Sequence, residues 1–576
     1  MLEAGTLGRL LSALRWMRGY SRADAAGDLT AAVIVTLMLV PQALAYAMLA
    51  GMPPQMGLYA SMLPLLLYAL FGTSSTLAVG PVAVAALMTA SAVAPFAVQG
   101  TEQGIAAAIA LAVLSGGMLL LAGLLRLGMV ANFLSHPVIA GFISAASLII
   151  ATSQVPTLLG FSARGETLPD LLAQIADGVG SLHTATAMLS ALAIAALLLA
   201  RNGLKPALQH VGLGAFAAAT VVRAVPALLM ALSTIGVHLG WSWMDGVRTV
   251  GAIPGGLPSL ALPTFDSAMW QALALPALFI TLVGYVESIS VAESLGMKRR
   301  ERIDPDRELI ALGLANVGSA VSGGVPVCGG VSRSVVNADA GAITPAAGLF
   351  TAIGMALATL TLAGGLGELP RFVLAATIVV AVLSLFDIGV FRRTWQVSRK
   401  DFWALLITFA LTLLVNVEAG IGAGVLLSIG LHLYRSSRPH TAIVGRVGGT
   451  EHFRNVDRHA VDVCPQVVTL RVDESLYFAN ARFLEERVLE LVATRPDMKH
   501  LVLMCPAVND IDASAIETLE TINRGLAEAG IGFHLSEVKG PVMDLLKRSQ
   551  LLQHLNGQVF LTQFKAYEAL SCLSRA

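Results

Sequence analysis

The chain has 576 residues, of which 56% are hydrophobic and 13% charged, whereas an ordinary soluble domain carries roughly 25% charged residues. Its formal net charge is zero, so no global field favours a nucleic acid as partner. These values exclude an ordinary soluble chain and predict a polytopic protein that lies in a lipid bilayer.

The N-terminal segment, residues 1–27, contains arginines among short apolar pieces but no uninterrupted apolar core followed by a small-residue cleavage site. It is therefore not a cleaved signal peptide. By the positive-inside rule, basic clusters beside apolar segments face the cytoplasm, as does the N-terminus, which predicts a multi-pass protein of the inner (plasma) membrane. The basic residues are Arg9, Arg15, Arg18, Arg22, Lys298, Arg299, Arg300, Arg302, Arg392, Arg393, Arg399, Lys400, Arg435 and Arg438.

Apolar segments follow one another through residues 28–434, which we predict to form the transmembrane transport domain. Several are shorter than the roughly 20 residues that a straight span needs, so they are candidates for half-helices or tilted spans. An even number of spans places both ends of the domain in the cytoplasm. The segments are residues 29–50, 54–72, 78–96, 105–126, 130–152, 182–200, 211–238, 270–296, 307–322, 331–340, 343–363, 369–386, 401–416 and 419–434.

The character of the chain changes in residues 435–576. Apolar runs at 467–472, 501–504 and 532–535 predict buried strands, and each precedes a helical pattern, at 483–492, 516–526 and 541–552. Alternating strands and helices predict a linker followed by a compact cytoplasmic α/β domain.

No motif in the chain indicates an enzyme or a bound cofactor. The four cysteines, Cys328, Cys464, Cys505 and Cys572, form no CxxC pair and indicate neither a disulfide framework nor a zinc site. No metalloprotease motif or Ser/His/Asp arrangement appears, so intramembrane catalysis has little support.

Two apolar stretches are interrupted by short glycine-containing sequences, at residues 77–83 and 326–334. Unpaired backbone in hydrocarbon costs several kcal/mol per group, so such breaks survive only where protein or a water-filled cavity satisfies them. Breaks in corresponding positions of two halves are the best sequence indicator of the central binding site of a secondary transporter. The alternative is that glycine and proline here only permit kinks and close packing.

Both breaks are expected to start helices whose N-termini bind an anion. Pro81 suits the first helical position, and in the second break Ser332 and Arg333 lie in the first turn. Free N–H groups and the helix macrodipole attract anions, so two facing N-termini favour a small oxyanion or halide. The predicted substrate-binding residues of the breaks are Val82, Ala83, Gly330, Val331, Ser332 and Arg333.

Glu287 lies inside an apolar segment, far from the flanking basic clusters. An intramembrane carboxylate is a functional-site hypothesis by default. Helical spacing places Ser290, Val291 and Ser294 on its face. Glu287 is therefore predicted to look inward and to couple an ion; accepting a proton, coordinating sodium and pairing with Arg333 all remain open.

Gln42 and Tyr46 are one turn apart in the first span, just after Pro41. Both are neutral and polar, so they are predicted to contact the bound anion. A packing role is the alternative.

Taken in order along the chain, several short motifs resemble the SulP family of anion transporters, the prokaryotic relatives of the SLC26 carriers. Any one of them is weak evidence, but their shared order is specific and covers nearly the whole chain. The motifs are Asp28–Thr30, Val40–Ala47, Gly57–Ser61, Phe71–Ser74, Val79–Ala83, Ile253–Pro258, Arg307–Gly313 and Ser332–Ser334.

The resemblance implies a polytopic α-helical membrane protein with fourteen segments in two inverted repeats of seven, including two half-helices. It further implies core and gate domains, a homodimer and a cytoplasmic α/β STAS domain. The substrate would lie between the third and tenth segments, which here begin at Pro81 and around Gly330. Transport would proceed by an elevator-like motion of the core against the gate.

Two positions depart from the family pattern. Some bacterial members carry an acidic residue at the position of Gln42, associated with proton coupling, and its absence leaves Glu287 as the candidate. In related STAS proteins the phosphate-accepting serine follows an aspartate directly, whereas here Ala513 separates Asp512 from Ser514. A dimer-stabilising role or the docking of a cytoplasmic protein partner is therefore at least as well supported as a phosphorylation switch.

The favoured function is secondary active transport of an inorganic anion. Sulfate is the first candidate for the substrate, and bicarbonate or a dicarboxylate is the alternative. Coupling to sodium or protons is open, as is an uncoupled exchanger or channel. A membrane-anchored sensor would need no conducting site, and Arg333 and Glu287 argue against it. No cofactor is expected, and sodium enters only as a coupling ion.

Overall fold

The computed structural model describes residues 16–17, 19–97, 101–129, 135–163, 165, 167–261 and 263–570. The arginines at 9, 15 and 18 and Cys572 lie outside this described part. Two compact units divide the chain, Met1–Ser428 and Ile429–Ala576. The first is a helical membrane unit and the second an α/β unit.

The membrane unit consists of helices with two very short strands, and its last helix continues past Ser428 into the first residues of the second unit. In chain order they are α1 (Arg22–Leu49), α2 (Pro54–Tyr59), α3 (Leu63–Phe71), β1 (Val79–Gly80), α4 (Ala83–Ala97), α5 (Thr101–Leu124), α6 (His136–Leu159), α7 (Leu168–Gly178), α8 (Thr184–Leu199), α9 (Lys205–His210), α10 (Ala215–His238), α11 (Ser267–Arg299), α12 (Pro305–Val321), β2 (Cys328–Gly329), α13 (Val331–Asp339), α14 (Ala346–Leu366), α15 (Arg371–Val382), α16 (Ile388–Val397), α17 (Arg399–Leu414) and α18 (Val417–Ser437).

Within the described residues, nine helical stretches are long and apolar enough to cross a membrane, and shorter apolar helices lie between them. The prediction of a polytopic helical protein with half-helices is therefore confirmed. The first helix begins at Arg22, whereas the apolar run predicts a start at residue 29. Its polar first turn is stabilised by a capping box, in which the Ser21 hydroxyl accepts from the Asp24 N–H at 3.1 Å and the Asp24 carboxylate accepts from the Ser21 N–H at 2.8 Å.

The membrane helices pack as two groups. The core group comprises α1–α5 and α11–α14, with α12 packed on α5 and α3 and with α14 packed on α1. The gate group comprises α6, α8, α10, α15, α17 and α18, with α17 and α15 packed on α6. The two groups meet along α1, which contacts α10 and α15. Both broken segments thus belong to the core group.

Helices α7, α9 and α16 occupy regions that the sequence analysis treats as polar joints. They are short and mostly exposed, and α16 has no buried residue. Hydropathy misses α7 because it is amphipathic, whereas α9 and α16 form the ends of the long helical stretches Thr184–His210 and Arg371–Val397.

The α/β unit contains a six-stranded sheet in the order β4-β3-β5-β6-β7-β8. The four strands from β5 to β8 are parallel, and β3 pairs antiparallel with both β4 and β5. Its elements are β3 (Thr441–Arg446), β4 (Phe453–Asn455), β5 (Val467–Val472), α19 (Ala481–Thr494), β6 (His500–Met504), α20 (Ala513–Glu528), β7 (Gly532–Ser536), α21 (Gly540–Leu546), α22 (Leu551–His554), β8 (Val559–Phe560) and α23 (Gln563–Leu570).

The three predicted strands of this unit are present, as are helices at the first two predicted positions. The single helix predicted over residues 541–552 is wrong, because α21 ends at Leu546 and α22 starts at Leu551. The unit closes its own core, in which Phe533, Leu501 and Leu551 are fully buried. Cys464 is disulfide-bonded, which the spacing of the cysteines does not predict.

Candidate functional site

The two broken segments pair with each other. Strands β1 and β2 run antiparallel, with Val79 opposite Gly329 and Gly80 opposite Cys328. The Gly330 N–H also donates to the Ala78 carbonyl at 3.2 Å. Backbone groups exposed by one break are thus satisfied by the other, which is what an apolar surrounding requires.

Polar side chains of α13 hold the segment before β1. The Ser334 hydroxyl accepts from the Ala78 N–H at 2.9 Å, and the Asn337 amide donates to the Thr76 carbonyl at 3.0 Å. Both side chains are buried. The second half-helix therefore braces the approach to the first.

The segment around β2 is held in the same way by core helices. Asn316 on α12 donates to the Val327 carbonyl at 2.8 Å and accepts from its N–H at 2.9 Å. Ser288 on α11 accepts from the Gly329 N–H at 2.7 Å. These contacts place β2 between α11 and α12 and orient the start of α13.

A buried carboxylate anchors the connection that leads from α3 to β1. Glu308, in the first turn of α12, is fully buried and accepts four hydrogen bonds. The donors are the Thr73 N–H at 2.7 Å, its hydroxyl at 2.6 Å, the Ser74 N–H at 3.3 Å and the Tyr68 hydroxyl at 2.7 Å. Four donors compensate the desolvation of this carboxylate, which has no paired cation in the part of the chain that the structure describes.

A second carboxylate anchors the connection that follows α13, with nearly the same set of donors. Asp28 on α1 is fully buried. It accepts from the Ile343 N–H at 2.6 Å, the Thr344 N–H at 3.0 Å, the Thr344 hydroxyl at 2.6 Å and the Tyr20 hydroxyl at 3.2 Å. Each broken segment is thus tied to a core helix by one buried carboxylate.

Arg333 lies between the two breaks. Its side chain is 2% exposed, and neither Nη1 nor Nη2 has a hydrogen-bond partner among the described residues. A Cβ on Gly80 would lie 2.7 Å from Nη1, and one on Gly330 would lie 3.0 Å from both Nε and Nη2. The two glycines therefore leave room for a planar guanidinium whose N–H donors lack acceptors.

The helix N-termini meet this guanidinium. Gly330 is the N-cap of α13, and Val82, which precedes α4, is buried with its Cγ1 3.2 Å from the Cβ position of Gly330. Ala83, the first residue of α4, is also buried. The first amides of a helix have no intrahelical partner, so two sets of N–H groups lie beside Arg333. Of the predicted residues in α13, Val331 and Ser332 are instead exposed.

Tyr46, Glu287 and Cys328 lie close enough to Arg333 to interact with it electrostatically. Because the Nη atoms of Arg333 have no partner, the ion pair with Glu287 that the sequence leaves open does not form there. Tyr46 is half-buried on α1, and Gln42, one turn earlier, is buried. Of this pair, Tyr46 lies near enough to the arginine to interact with its charge.

Glu287 on α11 faces the gate group. It lines a cavity of about 20 Å³ together with residues of α6, α17 and α18, among them Phe142, Thr408 and Ile421. On the helical face predicted for it, Val291 is buried, whereas Ser290 and Ser294 are exposed. Glu287 therefore lies at the boundary between the core and gate groups.

Sequence reasoning missed the bracing residues Ser288, Asn316 and Asn337 and the roles of Asp28 and Glu308. Such bracing residues can be recognised in a sequence as polar residues within an otherwise apolar helix. Asn316 in α12 is the clearest example. Their partners cannot be read from the sequence, because the contacts depend on how the helices pack.

Comparison with known proteins agrees with this architecture. The family model described as Sulfate permease family matches residues 26–408, and the STAS domain model matches residues 459–566. The chain therefore belongs to the sulfate permease (SulP) family, with a C-terminal STAS domain. It is an anion transporter of the SulP/SLC26 kind and not an enzyme.

Among curated relatives, the chain is 32% identical over 570 residues to sulfate transporter 4.1, chloroplastic, of Arabidopsis thaliana, covering 96% of this chain and 81% of that protein. It is also 32% identical over 556 residues to a probable sulfate transporter of Mycobacterium tuberculosis, covering 96% of each. The chain is thus similar over nearly its whole length to proteins named as sulfate transporters.

Solved structures share the fold. Murine Solute Carrier 26 family member A9, an anion transporter in the inward-facing state, matches with a TM-score of 0.88 and 21% identity, covering 99% of this chain and 96% of that chain. The transmembrane domain of the cyanobacterium bicarbonate transporter BicA matches with a TM-score of 0.61 and 24% identity, covering 70% of this chain and 99% of that chain.

Proposed function

We propose that this protein is a secondary active transporter that carries sulfate across the inner (plasma) membrane. The observation that carries the proposal is the buried guanidinium of Arg333, whose Nη1 and Nη2 lack partners among the described residues and lie beside two half-helix N-termini. An unpaired buried cation is costly. A bound oxyanion would supply the missing acceptors.

The geometry favours an oxyanion with several equivalent oxygens. A planar guanidinium presents N–H donors as a fork that matches two oxygens of one anion, and the amides of α4 and α13 would take further oxygens. Sulfate suits this arrangement, and relatives at 32% identity are named as sulfate transporters. Bicarbonate and a dicarboxylate satisfy the same donors and are the alternatives.

We infer an elevator-like mechanism from the position of the site. Both breaks and Arg333 belong to the core group, and Glu287 lies where α11 meets the gate helices. A rigid core that slides along the gate would carry the anion without dismantling the site. The exposed start of α13, at Val331 and Ser332, would face the aqueous side.

The surroundings of Glu287 favour a proton as the coupling ion. Its cavity is lined by apolar side chains, with Thr408 as the one other polar lining residue among those described, and the Thr408 hydroxyl donates to the Ala404 carbonyl at 2.8 Å. Sodium would need several more oxygen ligands. Protonation would neutralise the carboxylate so that it can move past an apolar wall.

We further propose that both chain ends are cytoplasmic, following the basic clusters, and that the protein is a homodimer, as the family resemblance implies. Within the α/β unit, Ser514 is exposed in the first turn of α20, after the N-cap Asp512. That surface suits a cytoplasmic protein partner as well as a phosphate. The α/β unit would then regulate transport without contributing to the anion site.

The deciding experiment is uptake of labelled sulfate and labelled bicarbonate into proteoliposomes, with sodium and pH gradients imposed separately. We expect sulfate uptake that a pH gradient drives and a sodium gradient does not. Arg333→Ala vesicles are the matched control for leak. If the vesicles take up bicarbonate and no sulfate, bicarbonate is the substrate. If a sodium gradient drives uptake, sodium is the coupling ion. Flux that depends on neither gradient would indicate an exchanger or channel.

A further inference from the structure

A charged pair joins gate helix α10 to core half-helix α13. Nη2 of Arg223 lies 3.0 Å from Oδ2 of Asp339, and the two side chains are 19% and 58% exposed. Arg223 lies in the first half of α10, inside an apolar stretch long enough to span a membrane. A charge at such a position is a functional-site hypothesis by default, with its partner named.

A second arginine, Arg299, contacts the same end of α13, but it belongs to the core group. Nη2 of Arg299, at the end of α11, donates to the Ala338 carbonyl at 3.2 Å, so it faces the same end of α13. The C-terminus of a helix attracts cations through its macrodipole. Because α11 and α13 are both core helices, Arg299 keeps this contact when the core moves, whereas Arg223 comes from the gate.

The other end of α10 carries a weaker contact. His238 Nδ1 lies 3.0 Å from Glu368 Oε2, but these side chains are 70% and 45% exposed. Water screens such a pair, and exposed pairs contribute little. Asp339 is as accessible to water as Glu368, but Arg223 is far less exposed than His238, so the cation of the Arg223–Asp339 pair is the better shielded of the two.

Helix α13 carries both the proposed anion-binding arginine and the pairing aspartate. Arg333 and Asp339 lie on the same nine-residue helix. A short, continuous helix moves as a unit, so any displacement of the anion site relative to the gate displaces Asp339 from Arg223. A 3.0 Å contact cannot survive a shift of several ångströms along the gate.

We propose that the Arg223–Asp339 pair is a latch that stabilises the described conformation and opens each time the core group moves past the gate group. This inference rests on the proposed alternating-access function. A contact made in one state only shifts the population towards that state. Removing either partner therefore lowers the population of the described conformation. Exchanging the two charges restores the pair, so it also restores that population.

The test measures conformation directly, without substrate. Spin labels are placed on gate residue Leu228 and core residue Ile353, which are 59% and 49% exposed, in a background with all four cysteines replaced. We expect Arg223→Gln and Asp339→Asn each to raise the population of a second label distance at least threefold. The exchanged pair, Arg223→Asp with Asp339→Arg, should restore the distribution of the labelled parent.

The matched control is an ion pair within α16, a helix that packs on the gate helices α17 and α6. Arg393 Nη2 lies 2.7 Å from Asp387 Oδ2, and both residues belong to α16 or its N-cap. Arg393→Gln should leave the label distances unchanged. The latch is overturned if the single variants match the labelled parent, if the exchange does not restore it, or if the control shifts equally.

Uptake of labelled sulfate by the same variants, without labels, then connects the latch to transport. We expect the single variants to change the maximal uptake rate at least threefold and the exchanged pair to recover it. An unlabelled parent that takes up no sulfate refutes the proposed substrate, while the label distances still decide the latch. Uptake that stays at the parent rate in both single variants refutes a role of the pair in transport.

Discussion

The two broken segments contribute differently to one site. The first, around β1 and the start of α4, has no polar side chain from Leu77 to Ala83 and supplies backbone groups and the space at Gly80. The second supplies the cation of Arg333 and the bracing side chains of Ser334 and Asn337. Backbone donors thus come from both segments, whereas charge and bracing come from α13.

This asymmetry makes the first segment dependent on the second. The chain before β1 is held at Ala78 and Thr76 by side chains of α13, while β2 is held by α11 and α12. Substitutions in α13 should therefore weaken sulfate binding more than substitutions in the first segment. We expect the dissociation constant for sulfate to change most on substitution of Arg333 and least on removal of the α/β unit.

Arg333→Ala should have the largest effect, because it removes the cation that the helix N-termini surround. Loss of charge-assisted hydrogen bonds worth about 1.5–3 kcal/mol each predicts sulfate affinity weaker by about 100-fold. Arg333→Lys should recover only part of it, since a point charge lacks the planar fork. Calorimetry with sulfate measures both variants, and size-exclusion chromatography checks folding. Undiminished affinity in the alanine variant would place the site elsewhere.

Gly80→Ala should come second. Its Cβ would lie 2.7 Å from Nη1 of Arg333, so the guanidinium has to move. Overpacking costs about 1–3 kcal/mol, which predicts sulfate binding weaker by about tenfold. Gly117→Ala on α5 is the matched control, because its Cβ meets nothing within 4 Å. Equal affinities of the two variants would mean that Gly80 does not position Arg333.

Glu287→Gln should leave sulfate binding within about threefold of the parent and remove the response of uptake to the driving gradient. The amide keeps the shape but cannot take up a proton or balance a sodium charge. Glu293→Gln, an exposed position on the same helix, is the matched control. If uptake by the Glu287→Gln variant still follows the gradient as the parent does, Glu287 is structural.

Truncation after Arg438 should have the smallest effect on sulfate binding. Both breaks and Glu287 precede that point, and the α/β unit closes its own core. We expect unchanged affinity by calorimetry, with lower expression, dimer stability or transport rate. A truncated protein that elutes as a folded species yet binds no sulfate would mean that the STAS domain helps to form the site.

Sequence reasoning found the features that depend on local chemistry. The breaks at residues 77–83 and 326–334 follow from polarity and glycine content in apolar stretches, but the first half-helix starts at Ala83 and not at the predicted Pro81. It could not find the partners of Asp28 and Glu308, because each carboxylate binds a connection that is distant in the chain, 315 residues away for Ile343 and 235 for Thr73. It also overlooked Arg223, whose partner Asp339 lies on another helix.

The sequence by itself determined that the chain spans a membrane and where its helices are interrupted, because bilayer insertion and backbone satisfaction depend on composition and local order. The order of its short motifs indicated the family by resemblance. Tertiary structure alone decided that Gly80 and Gly330 enclose Arg333, that α13 braces the first break, and that Glu287 faces an apolar gate surface. These contacts join different elements of the chain, so only packing brings them together.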